Sequence, residues 1–268
     1  MDKLISHELP LALMVDETIH DKINDYMFVL LHKVLEDPAY AAVVDRYQAR
    51  HGIIYLDNSC YELGESMSNE TLRHCFDIIG PDVLVLPDVL GDKDKTIERS
   101  TQFLKMNPDV ITSAMAVIQG SSVREMSECY AYFRDWRDAL GNAIPVIGIP
   151  FVFNWLVKEE SAQAAERLFL LEYLEDNLIL DPNRSHHLLG TWLPQEFQAY
   201  RDMDWIHSID TSNPIMAALD GNRYDETVGV IKKPKYTFDE AYDLKESEID
   251  MELLYHNVDV FKRIVNER

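Results

Sequence analysis

The sequence has few cysteines, few basic residues and no long apolar run, and each shortage removes a class of protein. Its three cysteines, Cys60, Cys75 and Cys129, are odd in number and widely spaced, with no Cys-x-x-Cys pair. That argues against a disulfide framework and a structural zinc site, and the reading carries no metal and no cofactor. The longest apolar runs, such as residues 26–31, fall far short of the roughly 20 residues a bilayer crossing needs, so no membrane partner is expected. The first residues show no charged-then-apolar signal pattern, and scattered thiols fit a reducing compartment; the expected location is the cytoplasm. Twenty-five basic against 47 acidic residues give a net charge of −22. Such a balance aids solubility and argues against a generally cationic face for nucleic acid. The cations that exist are local, at Lys232, Lys233 and Lys235 and at Arg124, Arg134 and Arg137.

What is present is a rhythm of polar residues at the ends of apolar runs. Residues 53–56 end at Asp57, residues 83–87 at Asp88, residues 114–118 at Gln119-Gly120, residues 145–147 at Gly148, and residues 205–209 at Asp210. The first three steps are 31, 31 and 29 residues, about one strand, one helix and two loops. In a closed parallel barrel every strand ends at the same mouth, where active sites sit. Near-continuous apolar strands are those buried on both faces.

Helical stretches fill the intervals. Ser68 is placed to cap a helix stopped by Gly80-Pro81, a second helix spans 92–106, and Ser122 caps a third running to about 140. Further helices are expected over 159–174 and 194–201, with a short strand at 187–190. Residues 11–15 read as the first buried strand, residues 26–31 as a strand or a helix, and the tail 238–265 as amphipathic helix able to pack across the barrel. There is no linker and no low-complexity stretch. The expectation is one domain, 1–268, a single (β/α)8 TIM-like α/β barrel with a C-terminal helical segment.

Any one strand-end aspartate is as well explained as a cap or turn residue. Three of them, Asp57, Asp88 and Asp210, would stand close at one mouth, where mutual repulsion is costly without a use. Two close carboxylates serve a retaining displacement at a sugar anomeric carbon, one as nucleophile and one handling protons. Gln119 offers an amide donor and acceptor to a planar ligand, and Gly148 either lets a ligand near the backbone or only makes a tight turn. Tyr61 offers a ring for stacking, against simple packing. His186 and His187 are adjacent in a strand and point apart, which argues against a metal.

The order of these motifs resembles the tRNA-guanine transglycosylase superfamily. The family's Asp-Ser-Gly-Gly-(Phe/Tyr)-Gln segment is matched by Asp57-Asn58-Ser59-Cys60-Tyr61-Glu62, and its Phe-Asp-Glu-Cys by Pro87-Asp88-Val89-Leu90. Val-Gln-Gly-Gly is matched by Ile118-Gln119-Gly120-Ser121, and Ile-Gly-Gly-Leu by Ile147-Gly148-Ile149-Pro150. Leu-Met-Gly is matched by Leu188-Leu189-Gly190, and Val-Asp-Met-Phe-Asp by Ile209-Asp210-Thr211-Ser212-Asn213. The resemblance implies exchange of guanine for a 7-deazaguanine, with Asp210 as nucleophile and Asp57 as the proton-handling carboxylate. It places Asn58, Asp88, Gln119, Gly120 and the backbone near Gly148 on the base, with Tyr61 stacking on it.

The chain lacks the family's Cys-x-Cys-x-x-Cys zinc segment and the Thr-Arg after the nucleophile that serves tRNA. In that it is more similar to phage-type DNA 7-deazaguanine transglycosylases. The implied partners are a guanine or 7-deazaguanine base and DNA ahead of tRNA, in the host cytoplasm if phage-encoded. A homo-oligomer or an accessory protein is an open source of positive surface. A tRNA enzyme, an N-glycoside hydrolase using water as acceptor and a silent accessory barrel are the rival expectations.

Overall fold

The computed structural model describes residues 2–151, 160–191 and 193–267, with the side chains of all but 160–164 among them. Among the described residues there are eight strands: β1 (Leu4–His7), β2 (Met27–Leu30), β3 (Ile54–Asp57), β4 (Val83–Val85), β5 (Ala114–Val117), β6 (Val146–Pro150), β7 (Ser185–Leu189) and β8 (Ile206–Thr211). All seven pairings are parallel, in the order β1-β8-β7-β6-β5-β4-β3-β2, with helices between the strands. This is an α/β barrel of the TIM type, nearly closed. At the seam between β1 and β2, the Asp25 N–H donates to the Ile5 carbonyl (2.9 Å) and the Phe28 N–H to Ser6 Oγ (3.1 Å). The Ile5 N–H in turn donates to the Asp25 carboxylate at 2.9 Å.

The period of two along each strand divides its side chains between two cores. Tyr55, Val83, Val85, Met115, Val117 and Val146 fill the lumen with Tyr26 and Phe28. Ile54, Leu56, Leu84, Ala114, Ala116 and Ile147 face the helices. By the same alternation Asp57 follows Tyr55 and Asp210 follows Ser208 on the lumen side.

Capping fixes where the helices begin. Ser68 Oγ accepts from the Thr71 N–H ahead of Asn69–Ile79, Asp92 from Lys95 ahead of Lys93–Met106, and Ser122 from Glu125 ahead of Val123–Asp135. Each such cap contributes about 1 kcal/mol. The C-terminal helix Met251–Asn266 starts on an Asp250 cap and buries Leu254, Val258, Phe261 and Val265, a helical stripe. Removing the Phe261 ring would cost about 3–5 kcal/mol.

Several expectations are corrected. Residues 11–15 are no strand: Leu11–Met14 is one turn of helix after Pro10, and the first strand is Leu4–His7. That strand carries Ser6 because a hydroxyl is needed at the seam, so its apolar pattern is broken. Residues 26–31 divide between both readings, since β2 passes directly into the helix Leu31–Glu36. The helix expected to reach 140 stops at Asp135; Trp136 is extended and the Asp138 carboxylate turns the chain by accepting from the Leu140 and Asn142 N–H groups. The tail is broken into Phe238–Tyr242, a 3-10 turn at Glu246–Glu248 and Met251–Asn266. Its last helix lies in the outer ring, with Phe261 edge-on to Phe197 and to His7. Residue 159, the expected start of the helix Glu160–Asp176, lies outside the described residues.

Candidate active site at the barrel mouth

At the C-terminal ends of the strands lies a cavity of about 900 Å³, within the range of small-molecule sites. Asp57, Asn58, Tyr61, Asp88, Gln119, Gly120 and Asp210 all line it. Of the residues expected at the site, Gly148 alone does not reach it. Gly148 sits one layer down, where a Cβ would meet Met115, Val117 and Leu189 at 3.1–3.2 Å, and its carbonyl is used by the Ile118 N–H. Its smallness serves the packing of the lumen.

On the β3–β5 side two side-chain amides hold the Asp88 carboxylate. Asn58 Nδ2 donates to Asp88 Oδ1 (2.9 Å) and to the Leu86 carbonyl (2.7 Å), while its Oδ1 accepts from the Cys60 N–H. Gln119 Nε2 donates to Asp88 Oδ2 at 2.7 Å, and its Oε1 accepts from the Gly91 N–H at 3.0 Å. Burial raises the Asp88 carboxyl above its usual range, against the pull of Asn58 and Gln119. Asp57 accepts from the Ser59 N–H at 2.7 Å. Burial first, then the charges of Glu62, Asp88 and Asp210, push its carboxyl well above the usual range.

The turn after β3 explains how Asp57 and Asn58 are presented. Ser59 stands in the left-handed region at φ 59°, which costs a non-glycine residue on the order of 1–2 kcal/mol. Its Oγ accepts from the His32 N–H at 3.1 Å and meets His32 Nδ1 at 2.9 Å, tying the turn to the helix after β2.

On the β7–β8 side Asp210 is met by N–H donors. His187 Nε2 lies 2.8 Å from Asp210 Oδ1, and the Gly190 N–H donates to both carboxylate oxygens at 3.2 Å. Gly190 has φ 64°, and a Cβ there would run into the Phe151 ring at 2.4 Å. The buried Arg167 braces this turn through the Leu189 and Gly190 carbonyls, both at 3.0 Å, and is itself paired with Glu196 at 2.8 Å.

The two adjacent histidines do point apart, across an irregularity in the β7–β8 register. His186 faces outward to Tyr130 and the Trp205 carbonyl; His187 faces the lumen. Among the described residues no group of three His, Cys, Asp or Glu side chains could hold a metal ion. Cys60 also lines the cavity, but burial and the neighbouring Asp88 push its thiol up, away from the thiolate a nucleophile requires.

Tyr61 is 54 % exposed, so it is not a packing residue, and its ring lies 5.6 Å from that of Phe151. Glu8, at the end of β1, is a further carboxyl on the cavity. Its surroundings and the charges of Asp210, Glu62 and Asp57 raise it well above the usual range. The segment from Lys233 to Asp239 edges the opening; Phe238 packs on the lumen side chains and Asp239 pairs with Lys33 at 3.2 Å.

The sequence reading missed Glu8, Phe151 and His187 as site neighbours. Glu8 was hidden by the misplaced first strand. His187 was readable by parity: in parallel register with Ser208, it shares the lumen face that carries Asp210. Compared with protein-family models and with curated proteins, the chain matches none.

Proposed function

We propose that this chain is a base-exchange transglycosylase, a pentosyltransferase that replaces guanine with a 7-deazaguanine in a polynucleotide, DNA in preference to tRNA. The observation that carries the reading is the meeting of Asp57, Asp88, Gln119 and Asp210 at one cavity, in the motif order of the family the sequence resembles. Ser59 adds support, since it holds a left-handed conformation where the resembled motif has glycine.

The chemistry follows from the two sides. An Asp210 oxygen attacks the anomeric carbon, the bond from that carbon to guanine N9 breaks, and guanine leaves with a proton from Asp57. A carboxyl raised by burial is suited to taking and giving that proton. The incoming base gives its proton to Asp57 and displaces the carboxylate from the same face, so two inversions retain configuration. Covalent catalysis divides one difficult exchange into two easier steps. The target base leaves the stack first, and exposed Tyr61 offers it a ring.

Hydrogen-bond arithmetic on the other side suits a guanine edge. Asp88 retains acceptor lone pairs, and Gln119 retains one N–H and one lone pair after their mutual bond. A carboxylate acceptor matches the purine N–H groups, and the amide N–H matches the carbonyl oxygen. The preference for DNA rests on the missing zinc segment and the missing Thr-Arg.

The test is incubation with labelled 7-deazaguanine and either duplex DNA or tRNA, followed by nucleoside mass spectrometry. Label in DNA nucleosides is expected. Label in tRNA alone would reverse the choice of polymer. Free abasic product would make the chain an N-glycoside hydrolase, and no product from either polymer would leave a binding barrel.

A further inference from the structure

The lumen beneath Asp210 holds a buried polar file that the exchange chemistry above does not use. His187 is fully buried, its ring stacked on Phe28 at 5.6 Å and 7°. Its Nδ1 meets Ser208 Oγ at 2.8 Å and its Nε2 meets Asp210 Oδ1 at 2.8 Å. One orientation serves both ring nitrogens: Ser208 O–H donates to Nδ1 and Nε2–H donates to the carboxylate.

A hydroxyl, an imidazole and a carboxylate in a row also describe a hydrolase triad, but here the order is reversed. Ser208 is buried and does not line the cavity, while Asp210 does. The group at the open end is the carboxylate, and the imidazole stands behind it.

We propose that His187 is the positioning residue for Asp210, a role that rests on the transglycosylase reading. The imidazole holds Oδ1 and the Gly190 N–H, shared by both oxygens, limits rotation about the carboxylate, so Oδ2 is the oxygen that bonds the anomeric carbon. In the first half-reaction the Oδ2–C1′ bond forms as C1′–N9 breaks. In the second, N9 of the incoming base bonds C1′, the ester bond breaks, and its electron pair returns to the carboxylate. The Nε2 proton stays on His187 throughout and stabilises that returning charge, as an oriented donor does for a developing anion. His187 touches the nucleophile and not the substrate.

The experiment compares His187→Leu, His187→Gln and wild type in exchange of labelled guanine into duplex DNA, with base affinity by calorimetry and adduct formation on denaturing gels. Leu removes the donor; Gln restores an N–H near the Nε2 position. His187→Leu is expected to lower kcat about 100-fold with the dissociation constant for guanine changed less than about twofold. His187→Gln is expected to regain about tenfold of that loss. A His187→Leu enzyme within about threefold of wild type would overturn the proposal. So would a His187→Gln enzyme no better than Leu although both variants bind guanine and melt like wild type. If His187→Leu does not fold, the Gln variant and Ser208→Ala decide: unchanged kcat in both overturns the role, and a fall in kcat at constant base affinity supports it. A wild-type protein that exchanges guanine into neither DNA nor tRNA sinks the transglycosylase reading itself, whereas exchange that is indifferent to His187 sinks only this inference.

Discussion

The two sides of the barrel mouth carry the same residue type in the same place, an aspartate after an apolar strand, and treat it in opposite ways. On the β7–β8 side Asp210 faces N–H groups from a buried imidazole and a backbone turn. On the β3 side Asp57 has one backbone N–H and the charges of Glu62, Asp88 and Asp210 around it, and burial raises its carboxyl; Asp88 beside it is buried too but held by the Asn58 and Gln119 amides. Donors aimed at a carboxylate suit an anion that attacks carbon; a crowded acid such as Asp57 suits a proton that comes and goes. A strand-end aspartate is therefore given its task by its neighbours.

The strongest way to break this contrast is Asp210→Asn, which keeps shape and removes nucleophilicity. Exchange should fall by about 10⁴-fold or more, with melting temperature and base affinity little changed, and the covalent adduct seen with wild type on denaturing gels should vanish. Near-normal exchange would place the nucleophile elsewhere. Next comes Asp57→Asn, expected to slow turnover by about 10²- to 10⁴-fold, the range of a lost proton-transfer group, while still allowing some adduct to accumulate.

The same variant sharpens the electrostatic side of the comparison. The folded protein holds the Asp57 proton to higher pH than the unfolded chain does, so wild type loses stability as pH rises above the ordinary aspartate value of 3.8. Asp57→Asn should melt higher than wild type at neutral pH, by about 2–4 °C for each kcal/mol relieved, and the advantage should disappear below about pH 4. An equal melting temperature at all pH values would mean that the carboxyl is not strained.

Smaller effects follow on binding. Asp88→Ala leaves the Asn58 and Gln119 amides without their shared acceptor and should weaken guanine or deazaguanine binding at least about tenfold by calorimetry, the worth of a charge-assisted contact. Unchanged affinity would put the base on the other side of the cavity. Smallest is replacement of Lys232, Lys233 and Lys235 by Ala. DNA binding should weaken a few-fold and the slope of log affinity against log salt should flatten by about two to three; an unaltered slope would locate the nucleic-acid contacts away from this rim.

Much of the barrel was legible because β3 to β6 are buried on both faces and read as apolar runs closed by polar residues. The first strand was not, because it works at a seam. Leu4–His7 spends Ser6 on the Phe28 N–H and sets His7 against Asn24, so no apolar run marks it. Glu8 vanished from the expected site with that strand. Asp57, Asp88, Gln119 and Asp210 were legible because each stands at or just past the end of its strand and lines the cavity. The His187 contact was not, since it spans 23 residues and depends on how two strands register. The exposed tyrosine stands in the single helical turn Cys60–Leu63, and the Phe151 beside it follows the end of β6; neither segment is long enough to show a period.

The pairing of β1 with β8 has a consequence for how the protein is made. Ile5 lies against Ile209, about two hundred residues later, and Lys3 exchanges hydrogen bonds with Asn266. A nascent chain emerging from the ribosome holds its first strand without its β8 partner until that strand is synthesised, with the lumen residues of the growing half-barrel open to water. Non-local closure of this kind folds slowly and leaves strand edges available to other chains. Glu8 and Asp210 become neighbours only at that last step, so the mouth is assembled by the same event that completes the fold.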